Sequence, residues 1–343
     1  MIISKTPFRM SFFGGGTDLP MVFKENGGAV LSTTFDKYCY VNVRQLPRFF
    51  DYRTELSYSK IERVRAIGEI QHPAIREAMK MLGIEDIRLT YEADLPARSG
   101  IGTSSSFAVG MLNAFYALKG IQVDKRRLAD DAIFLERKLC NEAGGWQDQI
   151  AASFGGFNRI DFYDKKYIVR PLNILEERKK RLNENLLLFF TGFSRFSSEI
   201  HDNTCATIGS KLNLLDKMLE LVDKAESILT NHLISLDNLG DLLDETWMLK
   251  RQTGSKISTN YIDWLYDRAM KAGALGGKLL GAGGGGFLLF YAEKDKRERV
   301  IEELKELIYV PFYFENDGTK IIYVQPDENG NSIATEQMLL AVK

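Results

Sequence analysis

Four consecutive hydroxyl residues, Thr103 to Ser106, follow the glycines of Gly100-Ile101-Gly102 in the segment LPARSGIGTSSSFAVG, residues 95 to 110. A glycine loop at a helix start presents unpaired backbone N–H groups and the positive end of a helix dipole to one spot. Glycine lets a ligand approach the main chain, and the hydroxyls can bond phosphate oxygens or ligate a magnesium ion. The combination suits a phosphate; simple capping of the helix by one or two hydroxyls is the competing reading. Two carboxylates add to it. On a helical wheel for residues 124 to 140, Leu128, Ala129, Ala132, Ile133, Leu135 and Leu139 share one arc, and Glu136 falls inside it. A buried carboxylate requires a partner, either an arginine or a metal or ligand. Twelve residues on, GGWQDQ sets Asp148 just after a glycine pair, where a loop can present it to a cleft or where it is an ordinary turn residue.

Several familiar sites are excluded. A Walker loop needs Gly-Lys followed by Ser or Thr, and Gly277-Lys278 is followed by Leu279. GAGGGG (281–286) matches GxGxxG, but a helix is expected before it and the strand FLLFYA after it, the reverse of a dinucleotide fold. The protein-kinase tripeptides HRD and DFG are absent. Cys39, Cys140 and Cys205 are too widely spaced for a disulfide framework, and His72, His201 and His232 form no ligand cluster. With 45 basic and 46 acidic side chains the net charge is -1, and no block of like charge marks a nucleic-acid or membrane face. A small soluble partner is expected. MIISKTPFRM lacks a signal-peptide core and runs such as LLLFF (186–190) are too short to cross a bilayer, so the cytoplasm is the expected location.

The elements that must position these residues follow from periodicity. Residues 28–43 and 87–95 read as strands, and 103–119 and 124–140 as helices, the first stopped by Gly120 and the second opened by Asp124 as N-cap. A chain of 343 residues predicts two domains. The polar run EERKKRLNEN (176–185) divides them, giving domains 1–180 and 181–343. Helix-rich sequence from about 205 to 273 and a closing region of helix and strand fill the second.

Three stretches, in order along most of the chain, resemble the GHMP kinase superfamily of small-molecule kinases. LPARSGIGTSSSF is similar to its ATP phosphate loop, PxxxGLGSSA, departing at Ile101 and Thr103. TPFRMSFFGGGTD resembles the sugar kinases' PGRxNLIGEHxD: Arg9 matches the arginine and Asp18 the aspartate, while Gly15 and Gly16 stand in place of Glu-His. KLLGAGGGGFLLF resembles the third motif, and the spacing of Glu136 and Asp148, with AGGWQDQ, is similar to that of the galactokinase branch. FRMSFFGGGTD with TGFSRFSSEI (191–200) is most similar to the branch acting on D-glycero-D-manno-heptose 7-phosphate at its anomeric hydroxyl.

The resemblance implies an α+β, two-domain fold, with an N-terminal half like ribosomal protein S5 domain 2 and a ferredoxin-like C-terminal half. It implies ATP and Mg2+, a small-molecule sugar phosphate as partner, and a monomer or homodimer. Pro96, Gly100, Ile101, Gly102, Thr103, Ser104 and Ser105 would hold ATP, with Ser104 and Glu136 on magnesium. Asp148 would accept or orient the substrate proton, and Arg9 would stabilise charge. Gly14, Gly15, Gly16 and Asp18 would face the sugar, together with Gly283 and Gly284. Arg98, Arg195, Lys250, Arg251 and Lys256 are the candidates for the substrate phosphate, although KRQTGSK (250–256) also reads as a solvated face. Alternatives are a fucose or galactose 1-kinase, a catalytically silent sugar sensor, and a nicotinamide oxidoreductase suggested by residues 281–286 alone.

Overall fold

Apolar alternation over the first forty-five residues builds two long antiparallel strands, β1 (Ile2–Phe13) and β2 (Gly28–Gln45). Between them lies α1 (Pro20–Asn26), with proline in its first turn and closed by Gly27 at φ +71°. The computed structural model describes residues 1–164, 166–192, 212–254 and 256–325, and the architecture that follows is that of these residues. The chain continues through β3 (Thr54–Ser57), β4 (Ile61–Val64), α2 (Pro73–Leu82), β5 (Ile87–Ala93) and α3 (Thr103–Leu118). Then come α4 (Lys125–Phe134), α5 (Gln147–Phe154), β6 (Asn158–Tyr163), β7 (Lys166–Pro171) and α6 (Glu176–Asn185).

A second sheet is made by β8 (Leu186–Phe190), β9 (Gly276–Leu279), β10 (Phe287–Tyr291) and β11 (Ile308–Tyr309), all antiparallel, in the order β11-β8-β10-β9. Helices α7 (Leu212–Thr230), α8 (Asn238–Arg251), α9 (Asn260–Ala272) and α10 (Arg297–Glu303) accompany it. Every residue of β10 is buried, which is why FLLFY reads as a continuous apolar run rather than an alternating one. No helix among the described residues is long and apolar enough to cross a membrane.

The last strands, β12 (Phe314–Glu315) and β13 (Lys320–Val324), return to the first sheet, where β12 pairs with β2 and β13 with β1. That sheet has nine strands, with a main order of β13-β1-β2-β5-β3-β4 and with β6 joining β2 to β7. The division expected at 180/181 falls inside α6, and the C-terminal segment contributes strands to both sheets. One apolar core joins them: Phe8, Met10, Phe12 and Phe13 of β1 cluster with Leu188, Phe287 and Leu289 of the second sheet and with Leu221 and Val222 of α7.

Two sequence readings need correction. The helix expected across 124–140 keeps its Asp124 cap, which accepts from Arg127 N at 2.7 Å, but its α-helical part ends at Phe134. Residues Leu135–Leu139 form a single π turn, a local widening often found at functional sites. Second, strand β9 rather than a helix precedes GAGGGG, so that run is the turn of the β9–β10 hairpin, stabilised by pairing that two glycines in GGKL conceal from propensity.

Candidate active site

The phosphate-type loop lies where the first sheet's β5 leads into α3. Gly102 is the residue before the helix, in the left-handed region at φ +76°, and Gly100 stands at φ +84°. A Cβ on Gly100 would lie 2.4 Å from Leu280 O, so only glycine allows the loop to touch the β9–β10 turn. Ile101 is fully buried, and its carbonyl accepts from Arg9 N at 3.1 Å, pinning the loop to β1. Pro96 O accepts from Ser99 Oγ at 2.6 Å.

None of the four hydroxyls caps α3. Thr103 Oγ1 accepts from Arg98 N at 3.2 Å, and Ser106 Oγ donates to Pro7 O at 3.0 Å. Ser104 Oγ and Ser105 Oγ donate to the two oxygens of Glu136, at 3.2 and 2.8 Å. The first helical bond is Ser106 N to Gly102 O at 2.9 Å, so the N–H groups of Thr103, Ser104 and Ser105 have no partner within the helix. This is the arrangement that binds phosphate at a helix start.

Glu136, 1% exposed, sits in the π turn, and its third partner is the amide of Gln149. Of the two partners left open by the sequence, arginine is not there: among the described residues no cation pairs with Glu136. A buried carboxylate held only by neutral donors lacks a counter-charge. Ser104 Oγ and Glu136 Oε1, 3.2 Å apart, place two oxygen donors side by side, the ligand type that magnesium takes. Magnesium commonly uses one or two protein oxygens and completes its shell with phosphates and water, so this donor set fits it.

Arg9 and Asp148, far apart in sequence, form a bidentate ion pair: Nε to Oδ1 and Nη2 to Oδ2, both 2.8 Å. Arg9 Nη1 also donates to Gly100 O at 2.7 Å. Asp148 is placed by the first turn of α5 rather than by a loop, at the positive end of that helix. Gly102 completes the contact: a Cβ there would be 3.1 Å from Arg9 Cγ and 3.4 Å from Asp148 Oδ2. Each Asp148 oxygen accepts one bond from the arginine and keeps capacity for another donor.

Asp18, 3% exposed, closes the site. Its carboxylate accepts from Gly16 N at 3.0 Å and Gln147 N at 3.4 Å. Burial, then the neighbouring charge of Asp148, raises its pKa above the usual aspartate range, against the pull of those N–H groups. The turn that carries it depends on Gly14, at φ +78°, whose Cβ would lie 1.9 Å from Ala29 O. Gly16 is also left-handed, and Gly15 lies beside Ser11.

The basic candidates separate. Lys250 donates to Leu279 O at 3.3 Å and to Gly281 O, close enough to Arg9 and Asp18 to feel their charges. Burial of its ammonium, and then Arg9, push its pKa down to about 8 against the attraction of Asp18. Arg251 pairs with Asp263 at 3.0 Å, Lys256 is exposed beyond α8, and Arg98 is exposed with a left-handed backbone at φ +59°. Arg195 lies outside the described residues. Gly283, at φ +125°, packs on the Ile257 backbone, and Gly284 N donates to Ile257 O at 2.9 Å.

Three further residues belong to the site that the sequence alone does not single out: Gln149, which bonds Glu136; Gly145, packed against Asp18; and Lys278, which is not a Walker lysine but donates to the β1 backbone. Lys278 is 2% exposed, and burial, with the charges of Lys250 and Arg9, holds its pKa well below the usual lysine range.

Residues 67–156 match the GHMP kinases N terminal domain, and residues 224–310 match the GHMP kinases C terminal. The chain belongs to the GHMP kinase family, with its two-domain mixed α/β fold, and this family uses ATP as phosphate donor. The nicotinamide alternative falls with that match and with the hairpin position of residues 281–286. The D-glycero-alpha-D-manno-heptose 7-phosphate kinase of Campylobacter jejuni subsp. jejuni serotype O:2 is 30% identical over 334 residues, 93% of this chain and 98% of that protein. The bifunctional fucokinase/GDP-fucose pyrophosphorylase of Arabidopsis thaliana is 25% identical over 88% of this chain, which spans 31% of that longer protein. A solved structure of a D-glycero-D-manno-heptose 1-phosphate kinase from Bacteriodes thetaiotaomicron has the same fold, with a TM-score of 0.77 at 24% identity, covering 95% of this chain and all of that one.

Proposed function

We propose that this protein is an ATP- and magnesium-dependent sugar kinase that phosphorylates the C1 hydroxyl of D-glycero-D-manno-heptose 7-phosphate. The observation that carries the reading is the Arg9–Asp148 pair standing against Gly100 and Gly102 at the start of α3. Phosphoryl transfer requires positioning and charge neutralisation rather than covalent work by the protein. The N–H groups of Thr103 to Ser105 hold ATP phosphates, on a loop shaped by Pro96, Gly100, Ile101 and Gly102. Ser104 and Glu136 hold magnesium, with Ser105 and Gln149 fixing the Glu136 carboxylate. The ion, when bound, screens the phosphate charge.

Asp148 orients the sugar hydroxyl and takes its proton as the new O–P bond forms to the γ-phosphorus of ATP and the bond to the β–γ bridging oxygen breaks, ADP leaving, while Arg9 keeps that carboxylate aimed and adds positive charge. Asp18 accepts from sugar hydroxyls, and Gly14, Gly15 and Gly16 allow close approach. The substrate's own phosphate is met by cations drawn from Lys250, Arg98, Arg251, Lys256 and Arg195, and Gly283 and Gly284 belong to the sugar side of the site. The two heptose kinases above are named for different phosphate positions, and the fucokinase alignment favours a second reading, a 1-kinase for free sugars.

A panel of heptose 7-phosphate, free heptose, fucose and galactose, with ATP and magnesium and with NMR of the product, separates the two. A lost charge-assisted contact is typically about 1.5–3 kcal/mol, so kcat/KM for the sugar phosphate should exceed that for the free sugar at least roughly tenfold. Equal turnover of free sugars refutes the heptose 7-phosphate reading in favour of the second.

A further inference from the structure

Lys278 reaches from β9 of the second sheet into the first. Its ammonium donates to Ser11 O at 2.9 Å and to Phe12 O at 2.7 Å, both backbone carbonyls of β1. Among the described residues no carboxylate pairs with it, so a buried charge is held by main-chain dipoles alone, a costly arrangement.

In a regular strand successive carbonyls point to opposite sides, and one donor cannot reach both. Strand β1 is irregular at this point: Ser11 pairs with Ser32 and Phe13 with Leu31, which leaves Phe12 as an extra residue. The bulge turns two consecutive carbonyls toward one ammonium and bends the strand as bulges beside active sites do. Gly14, where the chain enters the turn carrying Asp18, comes immediately after. The same β9 runs on into residues 280–286, against the phosphate-type loop: a Cβ on Gly281 would lie 2.3 Å from Gly100 Cα, and one on Gly286 would lie 2.3 Å from Ser99 O. One hairpin therefore touches the phosphate-type loop through glycine backbone and, through Lys278, the end of the strand that leads into the Asp18 turn.

We propose that Lys278 is a positioning residue: by clamping the β1 bulge it aims the Gly14–Asp18 turn at the sugar, in register with the ATP loop held by the same hairpin. Among the described residues it bonds only main chain, so its effect passes through Asp18. The kinetic part rests on the sugar-kinase reading, while the exchange measurement below needs no substrate.

Lys278→Met keeps the aliphatic stem and removes the ammonium. The KM for the sugar phosphate should rise about tenfold or more, the scale of one lost charged hydrogen bond, while the Kd of a non-hydrolysable ATP analogue stays within twofold. Amide hydrogen exchange, followed without ligand, should speed at Gly16 and Thr17 at least tenfold on the same scale and stay unchanged in the interior of α3. A general loss of stability would move both regions and both ligands together, and that outcome overturns the proposal. So does an unchanged sugar KM or unchanged exchange at the turn. If Lys278→Met does not fold, Lys278→Leu, which likewise removes every N–H donor, is read by the same criteria. A wild-type enzyme that turns over no sugar would refute the functional reading, while the exchange result would still decide the clamp.

Discussion

Replacing Gly145 by alanine should disable Asp18 without altering it. The Gly145 backbone lies outside the left-handed region, so alanine brings no φ strain of its own. Its Cβ would, however, stand 1.7 Å from Asp18 Oδ2 and 2.3 Å from Asp18 Cγ, against about 3.4 Å for ordinary contact. The carboxylate must swing away from the N–H groups of Gly16 and Gln147 that hold it. An ionised carboxylate bonded to a sugar hydroxyl contributes about 1.5–3 kcal/mol, so kcat/KM for the sugar should fall roughly 10- to 150-fold. Nucleotide affinity should stay within about twofold, because the glycine loop before α3 is untouched. A double-mutant cycle with Asp18→Ala isolates the cause. Once the carboxylate is gone, the nearest atom to the new methyl is Asp18 O at 3.0 Å, which a small shift relieves, and Gly145→Ala should cost little more. If Gly145→Ala costs the same in both backgrounds, the reasoning through Asp18 is refuted.

Asp148→Asn keeps the size of the group and removes its charge, so kcat should fall by roughly 10²-fold or more with nucleotide binding little changed; an unaltered kcat would remove Asp148 from proton transfer. Glu136→Gln should raise the magnesium concentration for half-maximal rate at least about tenfold in a titration at fixed ATP, and an unshifted curve would end the metal assignment. The Lys250 ammonium, with its pKa at about 8, is charged below that pH and neutral above it, so kcat/KM for a sugar phosphate should decline as pH rises through 8. Lys250→Arg should flatten that alkaline limb; a limb unchanged in the variant would show that another group causes it.

Local pattern made part of the site legible. The glycines and hydroxyls of 100–106 marked a helix start, the wheel of 124–140 marked Glu136, and Asp124 announced its cap, because each signal lies within a few residues. What decided the rest acts over distance. Ser104 and Ser105 lie more than thirty residues from the carboxylate that engages them, and Arg9 lies 139 residues from Asp148. Capping was a reasonable local use for the hydroxyls, but Glu136 and the Pro7 carbonyl compete for them and win. The basic run 250–256 looked uniform in sequence, yet Lys250 turns inward to carbonyls, Arg251 pairs with Asp263 and Lys256 is exposed. The role of Lys278 is not legible in sequence, because its partners are backbone atoms exposed by an irregularity in a strand of the other sheet, a feature that no residue type encodes.

The return of β12 and β13 to the first sheet also bears on the order in which the protein can be made. Met1 N meets Gln325 O across 324 residues, and Thr319 ties the returning segment to both ends of the first domain's interior, through Thr6, Asn113 and the Ala152 carbonyl of α5. On a ribosome, residues 1–190 emerge long before their closing strands, so the outer edge of β1 stays bare while the second sheet is still being synthesised. The helix that starts at Gln147 and carries Asp148 gains its packing against Asp317 and Gly318 only then. The placement of Asp148 in the first half thus waits for residues beyond 316, and an incompletely synthesised polypeptide lacks the support that sets this carboxylate.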